Sequence, residues 1–296
     1  MTAATARGPV ERRFSQVDVF TTGPLTGNPV AVVHDADDLD EPALQAFARW
    51  TNLSETTFLL TPSAEGVAAG ADYRVRIFTP DRELPFAGHP TLGSAHAWLE
   101  AGGRPRTDGV VVQECGAGPV VVRRGEATLA FAAPGFLRYG EVDAETREWA
   151  TRALRLFPEQ VLDAHWLDNG PGWLGLRLVS ADAVLAVRPD PVALAGRDVG
   201  VIGLHEPGGP ADAEVRAFAG DLGVTEDPVT GSLNAGFGVW LVETGVLPPA
   251  YTARQGTALG RDGRVHVVAE DAPDGSGRTT WVGGATRTVV AGTVAL

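Results

Sequence analysis

Apolar and polar residues alternate in short runs along much of the chain, a pattern typical of strands with one buried face. Residues 14–20 alternate in this way, and the loop TTGPLTGNP then leads into an apolar run that ends at Val33. Further strands are predicted over residues 56–60, 73–78, 110–112, 120–122, 174–179 and 288–294. Short strands therefore dominate the predicted secondary structure.

Two stretches have the features of helices. Residues 43–50 follow the acidic segment DADDLDEP, which supplies an N-cap and first-turn carboxylates that favour the positive end of a helix dipole. Residues 91–100 form a second predicted helix, closed by Gly102 and Gly103. With many strands and few helices, the chain is predicted to be an α+β protein.

One pair of segments is similar enough to count as an internal repeat. Residues 75–78, VRIF, are echoed by VRAF at residues 215–218. Each copy is followed by an acidic loop with proline, a Gly-His or Gly-Ser pair, a small-residue helix that carries Trp-Leu, and a glycine. These landmarks are Gly88-His89, Trp98-Leu99 and Gly102 in the first copy and Gly231-Ser232, Trp240-Leu241 and Gly245 in the second.

The repeat keeps its order with nearly equal spacing, and it predicts two homologous halves. The N-terminal half is expected to span residues 1–122 and to be joined by the C-terminal strand at about 288–296, with residues 123–287 forming the other half. The alternative is that glycine-rich helix starts and Trp-Leu pairs recur by chance.

Composition and charge exclude several classes of protein. The chain of 296 residues is 44% hydrophobic, enough to bury a core in one large domain or two ordinary ones. Its formal net charge of −13 and its thinly spread basic residues argue against nucleic-acid binding. No stretch approaches the roughly 18–20 apolar residues of a membrane span, and the N-terminus lacks the apolar core of a signal peptide. We therefore expect a cytoplasmic enzyme without a membrane partner.

All 24 basic residues are arginine, and this restricts the chemistry. Without a lysine amine, a Schiff base to a substrate carbonyl or to pyridoxal phosphate is excluded, and so is the lysine of a phosphate-binding P-loop. The six histidines have no spacing typical of zinc ligands. The single cysteine, Cys115, cannot form an internal disulfide and fits a reducing compartment. No cofactor and no metal are predicted.

The two repeated loops are candidate anion sites. Gly88 and His89 stand at the start of a predicted helix, where free backbone N–H groups and the helix dipole attract an anion. Gly231 and Ser232 repeat this arrangement, with Asp227 just before them. If the halves face each other, two helix N-termini converge on a carboxylate or an enolate-like intermediate. The alternative is that each glycine only forms a turn and each polar residue only caps a helix.

A candidate acid or base lies in the segment NLSET. Glu55 stands between a helix and an apolar strand, where partial desolvation would raise its pKa toward a useful value. A lone glutamate in such a turn is more often structural, and the combination with His89 and Asp227 favours a catalytic role. Arg76 and Arg216 could clamp a substrate, but strand arginines are usually solvated or paired. Cys115 could be a nucleophile, although structural burial is the better interpretation.

The motifs resemble those of the PhzF-like proteins of phenazine biosynthesis, which share their fold with diaminopimelate epimerase. The resemblance covers nearly the whole chain, except the leader and the region from about residue 136 to residue 200. The matching segments are VDVFTTGPLTGNPVAVV, NLSETTFLL, VRIFTPDRELPFAGHPTLGSAHAWL, CGAGPVVV, VRAFAGDLGVTEDPVTGSLNAGFGVWL and RQGTALGRDGRVHV.

The resemblance implies two similar halves, each a curled, mostly antiparallel β-sheet around a central helix, with the active site between them. It implies that Glu55 is the catalytic residue that moves a proton between two carbons of the substrate, assisted by His89 and Asp227. The positions that hold the substrate carboxylate are Gly88, Gly231 and Ser232.

The resulting hypothesis is a cofactor-independent isomerase that shifts a double bond in a small carboxylated metabolite, within secondary-metabolite biosynthesis. A rival hypothesis is an epimerase or racemase that uses Glu55 and Asp227 as opposed bases. A third is a binding protein that keeps the fold without chemistry. The resemblance also suggests a homodimer. The identity of the substrate stays open, because residues outside the motifs decide it.

Overall fold

The computed structural model describes residues 8–220, 224–272 and 277–296. Most of the predicted leader, residues 1–7, lies outside this range. The strands are β1 (Glu11–Val19), β2 (Asn28–Val33), β3 (Thr56–Leu60), β4 (Tyr73–Phe78), β5 (Glu83–Leu84), β6 (Val110–Cys115), β7 (Gly118–Arg124), β8 (Leu129–Ala132), β9 (Arg138–Glu141), β10 (Val161–Asp168), β11 (Leu174–Leu178), β12 (Asp198–Leu204), β13 (Ala213–Ala219), β14 (Val224–Asp227), β15 (Ala250–Gln255), β16 (Gly263–Asp271), β17 (Arg278–Gly284) and β18 (Thr286–Ala295). The helices are α1 (Glu41–Thr51), α2 (Ala64–Ala68), α3 (Gly88–Glu100), α4 (Ala144–Ala153), α5 (Ala181–Ala186) and α6 (Gly231–Glu243), with 3-10 turns at Pro158–Gln160 and Thr257–Leu259.

The first helix forms where the acidic segment predicts it. The Asp40 side chain accepts a hydrogen bond from the backbone N–H of Ala43, and a proline occupies the first turn, so α1 begins at Glu41, two residues earlier than predicted. It ends at Asn52, which adopts a left-handed conformation with φ 53°.

Helix α3 begins three residues earlier than the predicted start at Thr91. Proline is tolerated in the first turn of a helix because its missing N–H has no intrahelical partner there, so Pro90 does not delay the start. Gly88 and His89 therefore lie in the first turn instead of preceding the helix. Helix α6 starts at the equivalent glycine of the second copy, Gly231.

The strand pairings repeat across the chain. In the first part, β2 runs parallel to β3, β3 pairs antiparallel with β4, β4 runs parallel to β6, and β6 pairs antiparallel with β7. The second part repeats this order: β11 runs parallel to β12, β12 pairs antiparallel with β13, β13 runs parallel to β15, and β15 pairs antiparallel with β16. The prediction of an α+β fold with two similar halves is confirmed.

Strand β18 pairs with β1 in the first half, so the C-terminal strand lies beside the N-terminal part of the chain, and β8 pairs with β17 in the second half. The two halves are connected where β7 pairs with β8. The long helix α3 is buried mainly against β1 and β2, and α6 is buried mainly against β16 and β17. The exact boundary near residue 122 stays a prediction. None of the helices in the described residues is long and apolar enough to cross a membrane.

The region from residue 136 to residue 200 contains more structure than the sequence pattern predicted. The expected strand at 174–179 is β11, and the structure adds β9, β10, α4 and α5. Helix α4 is short and mostly polar, so it lacks a strong apolar period, but it has a good N-cap in Asp143. These elements form a separate apolar cluster around buried residues such as Leu154 and Leu176.

Candidate active site

A cavity of about 260 Å³ lies at the first turns of α3 and α6. It brings together residues from both halves that are far apart in the sequence. All six predicted site residues line it: Glu55, Gly88, His89, Asp227, Gly231 and Ser232.

The two helices approach each other through their first glycines. A Cβ atom on Gly88 would lie 3.2 Å from the Cα of Gly231, and it would lie 2.7 Å from the ring of Phe131. Neither N-cap residue, Ala87 or Thr230, caps its helix with a side-chain hydrogen bond. Backbone N–H groups in both first turns are therefore free of side-chain caps, and such groups suit an anion.

Glu55 directly precedes β3 and is only 7% exposed. Burial raises the pKa of its carboxyl well above the ordinary value, and the negative charge of Asp227 raises it further. A carboxyl in this environment retains its proton to higher pH than a free glutamate, and its ionised form is the stronger base for that reason.

His89 faces Glu55 as a neutral imidazole. Burial lowers the pKa of His89 to about 3, against a smaller, opposite effect of a hydrogen bond to the backbone carbonyl of Pro29. The Nε2 atom of His89 lies 3.3 Å from Oε2 of Glu55, and neither atom has another hydrogen-bond partner. Because the imidazole is neutral, this contact is not an ion pair.

The tautomer of His89 follows from its neighbours. Since Nε2 has no hydrogen-bond partner, the bond to the Pro29 carbonyl comes from Nδ1. The amide nitrogen of Asn28 is 3.4 Å from Nδ1, but its two hydrogens are directed to Asp227 Oδ1 and the Val229 carbonyl, each 2.9 Å away. Nδ1 therefore carries the proton, and the lone pair of Nε2 points toward Glu55.

Asp227 is held by a polar network of residues from both halves. Its carboxylate accepts hydrogen bonds from Asn28 and from the Thr230 hydroxyl, the latter 2.5 Å away. Burial raises the pKa of Asp227 to about 6, although these hydrogen bonds favour the ionised form. Gln255 bonds to the backbone carbonyl of Asp227 at 3.2 Å and to the Thr230 hydroxyl at 2.9 Å, which fixes the loop.

Ser232 is positioned by residues from the region without motifs. The indole N–H of Trp173 donates to the Ser232 hydroxyl oxygen at 3.0 Å, and Asn169 donates to its backbone carbonyl at 2.9 Å. Because the hydroxyl oxygen accepts from Trp173, the hydroxyl hydrogen is available to a group in the cavity.

Several residues of this network were missed by the sequence analysis. Asn28 was assigned to a loop, yet from the first position of β2 it donates to Asp227 and lies beside His89. A polar residue directly before a buried strand, inside the segment GNPVAVV, was the available signal. Gln255 and Trp173 carried no such signal, because only the fold brings them to the cavity.

Three other candidates lie away from the cavity lining. Arg76 pairs with Glu83 and Glu41, and Arg216 pairs with Glu226, so both are held by carboxylates as strand arginines usually are. Cys115 is buried, its Sγ contacts the Gly118 carbonyl at 3.3 Å, and burial raises the pKa of its thiol. Such a thiol is a poor nucleophile.

The two-halved fold is the diaminopimelate-epimerase-like fold, which isomerases and epimerases share. A solved structure with this fold, described as a predicted epimerase from Pseudomonas aeruginosa, has a TM-score of 0.75 and 30% identity. The superposition covers 96% of this chain and 99% of that one.

The chain belongs to the PhzC-PhzF family of phenazine biosynthesis-like proteins, whose family model matches residues 17–292. It is 33% identical to trans-2,3-dihydro-3-hydroxyanthranilate isomerase of Pseudomonas aeruginosa over 88% of this chain and 91% of that protein. It is also 36% identical to the protein called antisense-enhancing sequence 1 of Schizosaccharomyces pombe, over 95% of this chain and 98% of that one. The resemblance inferred from the motifs is confirmed, and the protein is an enzyme of the isomerase class.

Proposed function

We propose that the protein moves a proton between two carbons of a small carboxylated substrate, and so shifts a double bond, with Glu55 as the residue that carries the proton. The observation that carries this proposal is the buried Glu55 carboxyl, which lies against the neutral His89 imidazole in an enclosed cavity. His89 and Asp227 assist, and the substrate carboxylate lies at Gly88, Gly231 and Ser232.

The proposed steps use the side chains of the cavity. Ionised Glu55 removes a proton from an activated carbon, and the negative charge that develops on the substrate lies near the first turns of α3 and α6. The protonated carboxyl then donates a hydrogen bond to Nε2 of His89, whose lone pair is free. Glu55 returns the same proton to another carbon. The substrate and the product contain the same atoms, so these reaction steps require no oxidant, reductant or cofactor.

The substrate class is supported by the named relative. The isomerase of Pseudomonas aeruginosa acts on trans-2,3-dihydro-3-hydroxyanthranilate, a carboxylic acid, and a similar acid suits a cavity with two helix N-termini. We propose a role in secondary-metabolite biosynthesis on the same basis. A homodimer and a cytoplasmic location are further parts of the proposal, supported by the motif resemblance and by the composition. Light scattering in solution tests the dimer.

The test uses Glu55→Gln, with trans-2,3-dihydro-3-hydroxyanthranilate and a panel of related carboxylic acids as probes. Wild-type protein should move the double bond, and in deuterated water the product should carry little solvent deuterium, because Glu55 returns the proton that it removed; NMR follows both. The variant should lose this activity by about a thousandfold or more, because an amide cannot accept the proton. Glu65→Gln changes an exposed carboxyl of α2 in the same way and should retain activity. A folded Glu55→Gln variant with wild-type turnover would falsify the role.

Epimerisation is the second candidate function. It is favoured by the two carboxyls of the cavity, since Glu55 and Asp227 interact strongly enough that the charge of one raises the pKa of the other. The same experiment separates the two, because an epimerase exchanges deuterium into one carbon and leaves the connectivity unchanged. Bound but unaltered ligand in mass spectrometry would instead favour a binding protein.

A further inference from the structure

A second cavity of about 460 Å³ adjoins the candidate active site. It shares Gly172 and Asp198 with the catalytic cavity, so the two spaces meet at these residues. Two arginines and two tryptophans dominate its lining, and we call it the Arg–Trp pocket. Its defining residues are Arg138, Trp149, Trp166 and Arg197.

Each guanidinium of the pocket stacks on an indole ring. The Arg138 guanidinium carbon lies 3.7 Å from the ring centre of Trp166, and that of Arg197 lies 4.2 Å from the ring centre of Trp149. This stacking holds the cations in place and leaves their N–H edges available to an anion.

The cations of the pocket are not paired with a carboxylate within the described residues, although Asp198 also lines the pocket. Within the described ranges, neither Arg138 nor Arg197 forms an ion pair or a side-chain hydrogen bond. The positive charge of Arg138 also helps to lower the pKa of Asp143, but its effect is the smallest of those that act on that carboxyl. The indole N–H of Trp166 is buried and has no acceptor. The exposed guanidinium groups of Arg138 and Arg197 therefore have no acceptor within the described residues, in a chain whose formal net charge is −13.

A third cavity that adjoins the candidate active site has a different lining. It shares Ser54 with the catalytic cavity, and its lining includes the acidic residues Asp81 and Glu226. Its arginine, Arg261, donates to the Leu25 carbonyl at 2.9 Å. The arginine of this cavity is already bonded to a carbonyl, whereas the guanidinium groups of the Arg–Trp pocket are available to an anionic group that extends from the active site.

We propose that the Arg–Trp pocket binds a second acidic group at the far end of the substrate, so that the substrate is a dianion. The carboxylate at the helix N-termini and this distal group would be joined across Gly172 and Asp198. The inference rests on the proposed function, because it extends the substrate from the same active site. The pocket is built from the part of the chain without family motifs, where residues that distinguish one substrate from another are expected.

The test compares linear dicarboxylates, from glutarate to sebacate, with the monocarboxylates of equal chain length. Isothermal titration of wild-type protein should show that, at one chain length, the dicarboxylate binds about tenfold more tightly than its monocarboxylate, because a charge-assisted hydrogen bond is gained. Arg138→Gln and Arg197→Gln should each reduce this preference to about threefold, and the double variant should abolish it. Monocarboxylate affinity should be unchanged in all three, which also shows that the catalytic cavity is intact.

Arg123→Gln is the matched control. Arg123 also stacks on a tryptophan, with its guanidinium carbon 3.5 Å from the ring centre of Trp281, but it pairs with Glu270 and lines neither cavity. Its variant should keep the tenfold preference. A wild-type protein that shows no preference at any chain length, or a preference that survives in the double variant, overturns the proposal.

The outcome is separable from that of the proposed function. Binding requires no turnover, so Glu55→Gln should show the same dicarboxylate preference as the wild type even though it cannot move a proton. Loss of the preference alone would remove the second acidic group from the substrate and leave the proton transfer standing. If the wild-type protein keeps the preference but transfers no proton, the second acidic group stands and the proposed proton transfer falls.

Discussion

The two halves of the protein contain the same loop and helix entry, built from the segments ELPFAGH and EDPVTGS. In the first, Arg76 pairs with Glu83, and in the second, Arg216 pairs with Glu226 at the equivalent positions. Each guanidinium carbon also lies 5.0 Å from the ring centre of the phenylalanine that ends its repeat. The scaffold that presents the two helix N-termini is therefore duplicated in detail.

The polar side chains of the predicted site, in contrast, differ between the halves. The position of Asp227 in the second copy is Leu84 in the first, and the position of His89 in the first copy is Ser232 in the second. The first half thus supplies the imidazole of His89 and the carboxyl of Glu55, and the second supplies the carboxyl of Asp227. The predicted site therefore draws on both halves.

A further pair of equivalent residues becomes visible only in the strand register. Thr56 pairs with Phe78, and Val199 pairs with Phe218, the phenylalanines that end the two copies of the repeat. The residues just before them, Glu55 and Asp198, are therefore equivalent. Both are buried and both line the cavity. The second half thus has an acid at the position of the proposed catalytic glutamate.

The largest expected difference between the halves concerns the repeated arginines. The Arg216–Glu226 pair is almost fully buried, with side chains 6% and 8% exposed, whereas the Arg76–Glu83 pair is 20% and 37% exposed. Arg216→Gln leaves a buried carboxylate without its partner and should lower the free energy of unfolding by about 3–5 kcal/mol. Arg76→Gln should cost about 1 kcal/mol or less, because water screens its carboxylates. Urea unfolding measures both, and equal losses would contradict the distinction.

The next effect concerns the two glycines that face each other. A Cβ on Gly88 would lie 2.7 Å from Phe131, a core ring with no exposed surface, whereas a Cβ on Gly231 would meet its nearest atoms at 3.2 Å. Gly88→Ala should therefore cost about 1–3 kcal/mol of stability, as overpacking does, and Gly231→Ala about 1 kcal/mol or less.

Thermal unfolding of the two glycine variants supplies the measurement. Gly135→Ala is the control, because a Cβ at Gly135 meets nothing within 4 Å. It should unfold like the wild type. If Gly231→Ala proves the more harmful of the two, the helix starts are not packed as the structure has them.

The sequence predicts much of this site because its motifs are local. The two repeated motifs lie at the starts of helices α3 and α6, and all six predicted residues meet at one cavity, although their roles stay predictions. The equivalence of Glu55 and Asp198 could not be predicted, because these residues differ in type and no repeated motif surrounds Asp198. The Arg–Trp pocket could not be predicted either, since Arg138 and Trp166 meet only through the pairing of β9 with β10.

The smallest expected effect tests the equivalence of Asp198 and Glu55. The charge of Asp198 contributes to the raised pKa of Asp227, which is about 6, after the larger effect of burial. Asp198→Asn removes this repulsion, so the pKa of Asp227 should fall by about half a unit to one unit. Carbon-13 NMR of labelled aspartate side chains follows this titration, with Asp227→Asn assigning the signal. Asp182→Asn, an exposed aspartate of α5, should leave the pKa unchanged.

The pH dependence of turnover extends this last test. Proton transfer by Glu55 requires its ionised form, so activity should rise with pH through a pKa above that of free glutamate. Asp198→Asn should keep this rising limb and most of the activity, because Glu55 and the imidazole of His89 are untouched. A different outcome is that Asp198→Asn abolishes turnover while the pKa of Asp227 stays near 6. Asp198 would then transfer a proton itself, and each half would contribute a catalytic carboxyl at this equivalent position.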